Sequence, residues 1–102
     1  MNYAHLRSLL GHDDALVARF VGIFKSQTPD QMAALRAFWE NGDWENTANT
    51  AHAIKSQCRY FGLEAEAALC QHIEDEPGAP EASARLAELE QRLVAALATL
   101  TT

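Results

Sequence analysis

The chain has 102 residues, of which 48% are hydrophobic, and a formal net charge of −6 at pH 7. This length predicts one domain, residues 1–102, with a single modest core. Its eight lysines and arginines are scattered along the sequence. That pattern argues against nucleic acid and an anionic membrane surface as principal partners, because phosphate groups attract clustered cations.

Neither membrane insertion nor a metal site is indicated by the sequence. No apolar run approaches the roughly 20 residues of a membrane-spanning helix, and residues 1–10 lack a signal-peptide pattern. We therefore expect a cytoplasmic location without direct membrane contact. Cys58 and Cys70 each lie among apolar residues, so we expect reduced thiols in the core. The cysteines and histidines show no zinc-ligand spacing, so we expect no metal.

The hydrophobic pattern is helical from end to end, which predicts an all-α fold. A short first helix covers residues 3–10, with Asn2 as its cap and Gly11 at its end. A long second helix begins near Asp13 and runs to Trp39 or Glu40. Its apolar face comprises Leu16, Val17, Phe20, Val21, Ile23, Phe24, Met32, Leu35, Phe38 and Trp39.

Thr28-Pro29 interrupts this second helix with a signal typical of a helix start. It indicates either a fresh helix or a kink in one long helix. The apolar face continues on both sides without an intervening loop, which favours a kinked continuous helix.

Three further helices are predicted after the second. Asn41-Gly42-Asp43 ends one helix and caps the next, which covers 44–61 and stops at Gly62. A fourth covers 63–76, the segment 77–80 is a proline-rich loop, and a leucine stripe marks a last helix over 81–100. The economical arrangement is an antiparallel four-helix bundle with a short additional N-terminal helix.

His52 lies in the middle of the third long helix, and its position on that helix predicts a partly exposed imidazole. Successive residues advance about 100° around the axis. The core-facing side comprises Trp44, Thr47, Ala51, Ile54, Cys58 and Phe61. His52 points away from them, on an outer stripe with Glu45, Asn49, Lys55, Ser56 and Arg59.

This position suits phosphoryl chemistry. A histidine ring is largely neutral at pH 7, and its free nitrogen is a nucleophile toward phosphorus. Lys55 and Arg59 disfavour a further proton on the ring and would neutralise an arriving phosphoryl group. Since an exposed pair contributes only about 0.2 to 1 kcal/mol, we expect Lys55 to tune transfer without being indispensable. Ser56 is small enough to leave the ring accessible, and its hydroxyl could donate to phosphate.

Glu74 is a candidate orienting group for this ring. If the third and fourth long helices are antiparallel about Gly62, residues equidistant from the turn are level with each other. His52 is then level with residues 71–74. Glu74 could accept a hydrogen bond from one ring nitrogen and so leave the other nitrogen free to react.

These residues resemble the histidine-containing phosphotransfer (HPt) domain of bacterial two-component phosphorelays. The resemblance covers most of the chain, from residue 13 to residue 76. It is carried by residues 35–44, which end in Asn41-Gly42-Asp43-Trp44, by residues 51–63 with His52, Lys55, Ser56 and Gly62, and by Leu69, Cys70, Ile73 and Glu74. Ile54 and Ser56 stand where the family more commonly has leucine and glycine, and Arg59 and Tyr60 are bulkier than usual.

The resemblance implies a four-helix bundle in which His52 is phosphorylated and relays the group between receiver-domain aspartates. Carried over from the family, Lys55 and Ser56 flank His52, and Gly62 ends the helix. From their place on the outer stripe, we expect Lys55, Ser56, Arg59 and Asn49 to contact phosphate or a partner. The resemblance implies no kinase or ATPase activity and no cofactor in this chain, with Mg²⁺ on the receiver. The implied partners are response-regulator receiver domains and a hybrid sensor kinase. We expect a monomer, because the apolar stripes are used within one bundle. The chain would be either free-standing or the cytoplasmic part of a membrane hybrid kinase.

Other functions remain open to different degrees. A non-catalytic docking bundle would bind a receiver or kinase beside His52 without being phosphorylated. A sensor kinase's dimerisation helices are disfavoured, because Ala53 follows His52 where that family typically has an acidic residue and then proline. An independent enzyme is more distant still, since no phosphate-binding loop, paired-carboxylate motif or nucleophile elbow is present.

Overall fold

A computed structural model describes residues 3–100. Within this range the chain forms five helices and no strand: α1 Ala4–Leu9, α2 Asp14–Glu40, α3 Trp44–Tyr60, α4 Glu64–Asp75 and α5 Ala82–Ala98. The predicted all-α fold is confirmed, and each helix lies within a few residues of its predicted bounds. The Asn2 cap predicted for α1 lies outside the described residues.

The four longer helices pack in a ring. α2 packs on α3, α3 on α4 and α4 on α5, and α5 returns to α2. The connections between consecutive helices are short, so neighbouring helices run antiparallel. α1 lies against α2 and α3 at one end of the bundle. This is the predicted bundle with an additional N-terminal helix, and it forms a rod of 41 × 21 × 19 Å.

α2 is one unbroken helix despite Pro29 in its interior. Asp13 caps its start by accepting hydrogen bonds from the backbone N–H groups of Ala15 and Leu16. A proline removes one backbone hydrogen bond from a helix, but apolar residues on both sides of Pro29 keep the segment on the core. The predicted continuity is confirmed, and the kink stays a prediction.

Glycines end α2 and α3 in the same way. Gly42 and Gly62 have φ of +68° and +69°, a left-handed conformation that side chains rarely adopt. Beyond each glycine, a backbone N–H reaches back five residues, from Asp43 to the Phe38 carbonyl and from Leu63 to the Cys58 carbonyl. The chain therefore reverses sharply at both predicted positions.

The core contains both cysteines. Cys58 and Cys70 are fully buried and unlinked, as predicted. A hydrogen bond with Cys70, together with burial, raises the pKa of the Cys58 thiol. Both thiols therefore act as small apolar contacts between α3 and α4.

Three residues predicted on apolar faces are more exposed than expected. Trp44, Leu16 and Ile23 all lie on the surface. Trp44 is the first residue of α3, where its neighbour is the loop after α4: a Cβ added at Gly78 would lie only 3.2 Å from its ring. Leu16 and Ile23 lie at the edge of an apolar face that is wider than the helices covering it.

Candidate functional site

His52 lies on the surface of α3, and its side chain is 60% exposed. Its Nδ1 lies 3.1 and 3.2 Å from the two carboxylate oxygens of Glu74 on α4. This is the contact expected from the antiparallel register about Gly62. Among residues 3–100, none forms a hydrogen bond with the other ring nitrogen, Nε2.

Lys55 lies in a different environment from the one predicted. It was expected on the exposed stripe, but its side chain is only 7% exposed. Its Nζ donates to Gln71 Oε1 at 2.8 Å and to Glu74 Oε1 at 2.7 Å. The prediction was wrong because α4 covers this side of α3, and two acceptors on α4 compensate the ammonium for its lost hydration.

Glu74 is therefore shared by two donors. The hydrogen bond from Lys55, followed by the one from His52, holds the pKa of Glu74 below its ordinary value. The carboxylate is then ionised at neutral pH and can only accept hydrogen bonds. Nδ1 of His52 must carry the proton of the neutral ring, and the lone pair is left on the exposed Nε2.

A further polar contact extends this network along α4. Gln71, which accepts from Lys55, donates through its Nε2 to Asp75 Oδ1 at 2.7 Å. Its amide is thereby fixed with the oxygen toward Lys55. The sequence interpretation did not assign a role to Gln71 or Asp75, although their four-residue spacing on a helix is a recognisable pairing signal.

The remaining predicted site residues stay on the surface of α3. Asn49 and Arg59 are exposed, one turn before His52 and two turns after it. Ser56 is also exposed, but its hydroxyl donates to the His52 carbonyl at 3.1 Å. Ser56 thus keeps the small profile expected of it, while its hydroxyl is already used within the helix.

An apolar surface that the sequence interpretation did not identify adjoins this stripe. Phe20 and Tyr60 pack edge to face with ring centroids 6.2 Å apart, and Ile23 and Leu9 are exposed beside them. We refer to Leu9, Phe20, Ile23 and Tyr60 as the aromatic patch. The sequence did contain a signal for this patch, because the apolar face of α2 is wider than one neighbouring helix can cover.

Two negative observations concern residues 3–100. This range contains no cluster of three or more histidine, cysteine or acidic side chains arranged to hold a metal ion. Nor does it contain a helix with the length and apolar character needed to cross a bilayer.

This bundle presents an exposed histidine whose Nδ1 lies against a carboxylate on the neighbouring helix, which is the arrangement expected of a phosphotransfer module. The sequence model of the Hpt domain matches residues 19–100. The chain therefore belongs to the Hpt domain family, which acts in histidine phosphotransfer within phosphorelays. Comparisons with curated proteins and with solved structures gave no significant match.

Proposed function

We propose that this chain relays phosphoryl groups between aspartates of receiver domains through a phosphohistidine at His52. The observation that carries the proposal is the hydrogen bond between Nδ1 and Glu74, which leaves a nucleophilic lone pair on exposed Nε2. A receiver's phospho-aspartate would present phosphorus to Nε2. The N–P bond forms as the aspartyl O–P bond breaks, and the carboxylate leaves with that electron pair.

The second half of the relay reverses this step. A carboxylate oxygen of another receiver attacks phosphorus, and the N–P electron pair returns to Nε2. Catalysis in such transfers depends mainly on positioning and charge neutralisation. The chain supplies a ring fixed on a rigid helix, and Mg²⁺ would be held by the receiver.

The aromatic patch supports the proposal that receivers dock over α3. Exposed apolar surface of this kind is typical of protein interaction sites, and here it adjoins the stripe that carries His52. Arg59 lies between the patch and the histidine along α3 and would face the acidic phosphorylation site of a receiver. Arg59 and Asn49 are thus the exposed candidates for partner contact, whereas Lys55 acts from beneath the ring.

The test is intact-mass analysis of the wild-type chain, His52→Gln and His72→Gln after mixing each with a phosphorylated receiver domain at neutral pH. His72 is an exposed histidine on α4 and serves as the matched control. We expect one phosphoryl adduct on wild type and on His72→Gln, and none on His52→Gln.

A different result would favour the docking function. If a panel of phosphorylated receivers leaves no adduct on the folded wild-type chain, the relay function is wrong. Receiver binding without an adduct, weakened by a Tyr60→Ala substitution, would identify the chain as a non-catalytic docking bundle.

A further inference from the structure

The residue beneath the imidazole carries a full negative charge. A neutral acceptor such as an amide could also fix the position of the Nδ1 proton. Glu74 instead places two carboxylate oxygens within 3.2 Å of Nδ1. The charge therefore has a consequence beyond orientation, and that consequence concerns the phosphorylated ring.

Phosphorylation changes the charge on the ring. Before the reaction the ring is neutral, with a proton on Nδ1 and the lone pair on Nε2. When that lone pair forms the N–P bond, the proton stays on Nδ1 and the ring becomes cationic. A carboxylate beside Nδ1 stabilises the cation, just as a buried aspartate stabilises the imidazolium of a serine protease.

The same proton decides how readily the group leaves. If Nδ1 is protonated, the N–P electron pair returns to Nε2 and the leaving group is neutral imidazole. If Nδ1 has lost its proton, the ring must leave as imidazolate, which is a far poorer leaving group. A carboxylate that retains the proton therefore keeps the phosphoryl group transferable.

Other charged or titratable groups lie on the helices near His52. On α3, Lys55 and Arg59 oppose a cationic ring. On α4, Asp75 acts indirectly through Gln71. On α1, His5 lines a shallow hollow with Ser56 and Arg59. Among residues 3–100, α2 sends no hydrogen bond or ion pair to this ring. Glu74 is the acidic side chain in direct contact with it.

We infer that Glu74 is the counter-ion of phosphorylated His52 and keeps it an active phosphoryl donor on the alkaline side of neutrality. Glu74 is a positioning residue, because it acts through the ring and does not touch the transferred group. This inference rests on the proposed phosphorylation of His52.

The test compares the phosphorylated forms of wild type, Glu74→Gln, Glu74→Asp and Glu76→Gln. Glutamine at position 74 keeps the size of the side chain and an acceptor oxygen but removes the charge, whereas aspartate retains the charge. Glu76 is an exposed acid at the end of α4 and serves as the matched control. The measurement is the rate of transfer to one unphosphorylated receiver, and of spontaneous hydrolysis, across a pH series from about 6 to 9.

We expect the alkaline decline in both rates to move to lower pH in Glu74→Gln alone. A shift of about one pH unit corresponds to roughly tenfold slower transfer at about pH 8.5, whereas the rates converge near pH 6. Glu74→Asp should retain the wild-type alkaline limb at least in part, and Glu76→Gln should match wild type.

The outcomes separate this inference from the proposed function. An adduct on wild type with an unchanged pH profile in Glu74→Gln overturns the inference alone. So does a loss of rate by the same factor at every pH, which would indicate a purely structural role. Failure of the wild-type chain to form any adduct overturns the proposed function, and the inference with it.

Discussion

Two ion pairs join helices on different sides of the bundle, and they are built differently. Lys55–Glu74 links α3 to α4, with side-chain exposures of 7% and 25%. Arg36–Glu90 links α2 to α5, and both side chains are about one-third exposed, at 32% and 33%. The first pair shares its carboxylate with the imidazole, while the second borders an apolar groove lined by Pro29, Met32, Ala33, Leu93, Val94 and Leu97.

The difference indicates a division of roles between helix pairs. The α3–α4 interface has its polar groups linked into a network around His52. We call the groove between α2 and α5 the α2–α5 groove. It contains the buried Leu93 and the partly exposed Arg36–Glu90 pair, and none of the described residues that contact His52 lies in it. Substitutions on the groove side should change the stability of the fold, whereas those at the network should change stability and chemistry together.

The largest effect is expected from Leu93→Ala in the α2–α5 groove. Leu93 is 1% exposed, so removing its buried methyl groups should lower the free energy of unfolding by about 3 kcal/mol. The neighbouring Val94→Ala should cost less than about 0.5 kcal/mol, because Val94 is on the surface. Urea unfolding measures both values.

The same proteins test whether the groove is separate from the site. At a temperature where Leu93→Ala is still folded, its His52 should accept a phosphoryl group at the wild-type rate. A slower reaction in the folded protein would contradict the separation between the two sides.

An intermediate effect is expected from Lys55→Met, with Arg36→Met as the matched control. Lys55 donates two charge-assisted hydrogen bonds from a buried position, so its loss should cost about 1 to 3 kcal/mol at pH 7. Arg36→Met should cost about 0.2 to 1 kcal/mol, since its pair is partly hydrated. If both substitutions lower the free energy of unfolding by the same amount, the difference in burial between the two ion pairs has no effect on stability.

Acid should reduce the difference between wild type and Lys55→Met. The hydrogen bond from Lys55 holds the pKa of Glu74 in the folded protein below its ordinary value of 4.5. A depressed carboxyl pKa contributes stability that is present above the unfolded-state value and is lost as pH falls through the folded-state value. Unfolding measured below pH 4.5 should therefore show the gap closing, and a gap independent of pH would exclude this linkage.

The smallest effects are expected from a pair of glycine substitutions with opposite signs. Gly62→Ala places a side chain at φ +69° and should cost about 1 kcal/mol. Gly22 is in the interior of α2 with no atom within 4 Å of an added Cβ, so Gly22→Ala should stabilise by about 0.5 to 1 kcal/mol. Thermal unfolding distinguishes the two, and stabilisation by both would show that the turn tolerates alanine.

The positions of the helices, and the position of Glu74 beside His52 along the antiparallel α3–α4 pair, could be predicted because they depend on local signals. Glycines end α2 and α3 at predicted residues, Asp43 caps α3 by accepting from Asn46, and counting outward from Gly62 placed Glu74 beside His52. Each of these features follows from backbone conformation and helix geometry alone.

The burial of Lys55 and the exposure of Trp44 could not be predicted in the same way. A helical wheel gives the direction of the Cβ atom, but the burial of a long side chain depends on which neighbour covers it. Lys55 lies at the edge of the core face and is covered by α4. The helical wheel places Trp44 on the core face, but at the start of the helix its ring lies beside the loop at Gly78 and not in the core.

The turn at Gly62 also has a consequence for the entropic cost of assembly. His52 and Glu74 are 22 residues apart in the chain, whereas Arg36 and Glu90 are 54 apart. By loop-closure entropy, the longer connection costs about 0.8 kcal/mol more to close. Loop closure alone therefore favours the α3–α4 hairpin over the return of α5 to α2. We expect the contact between His52 and Glu74 to form at a lower entropic cost than the contact between α2 and α5.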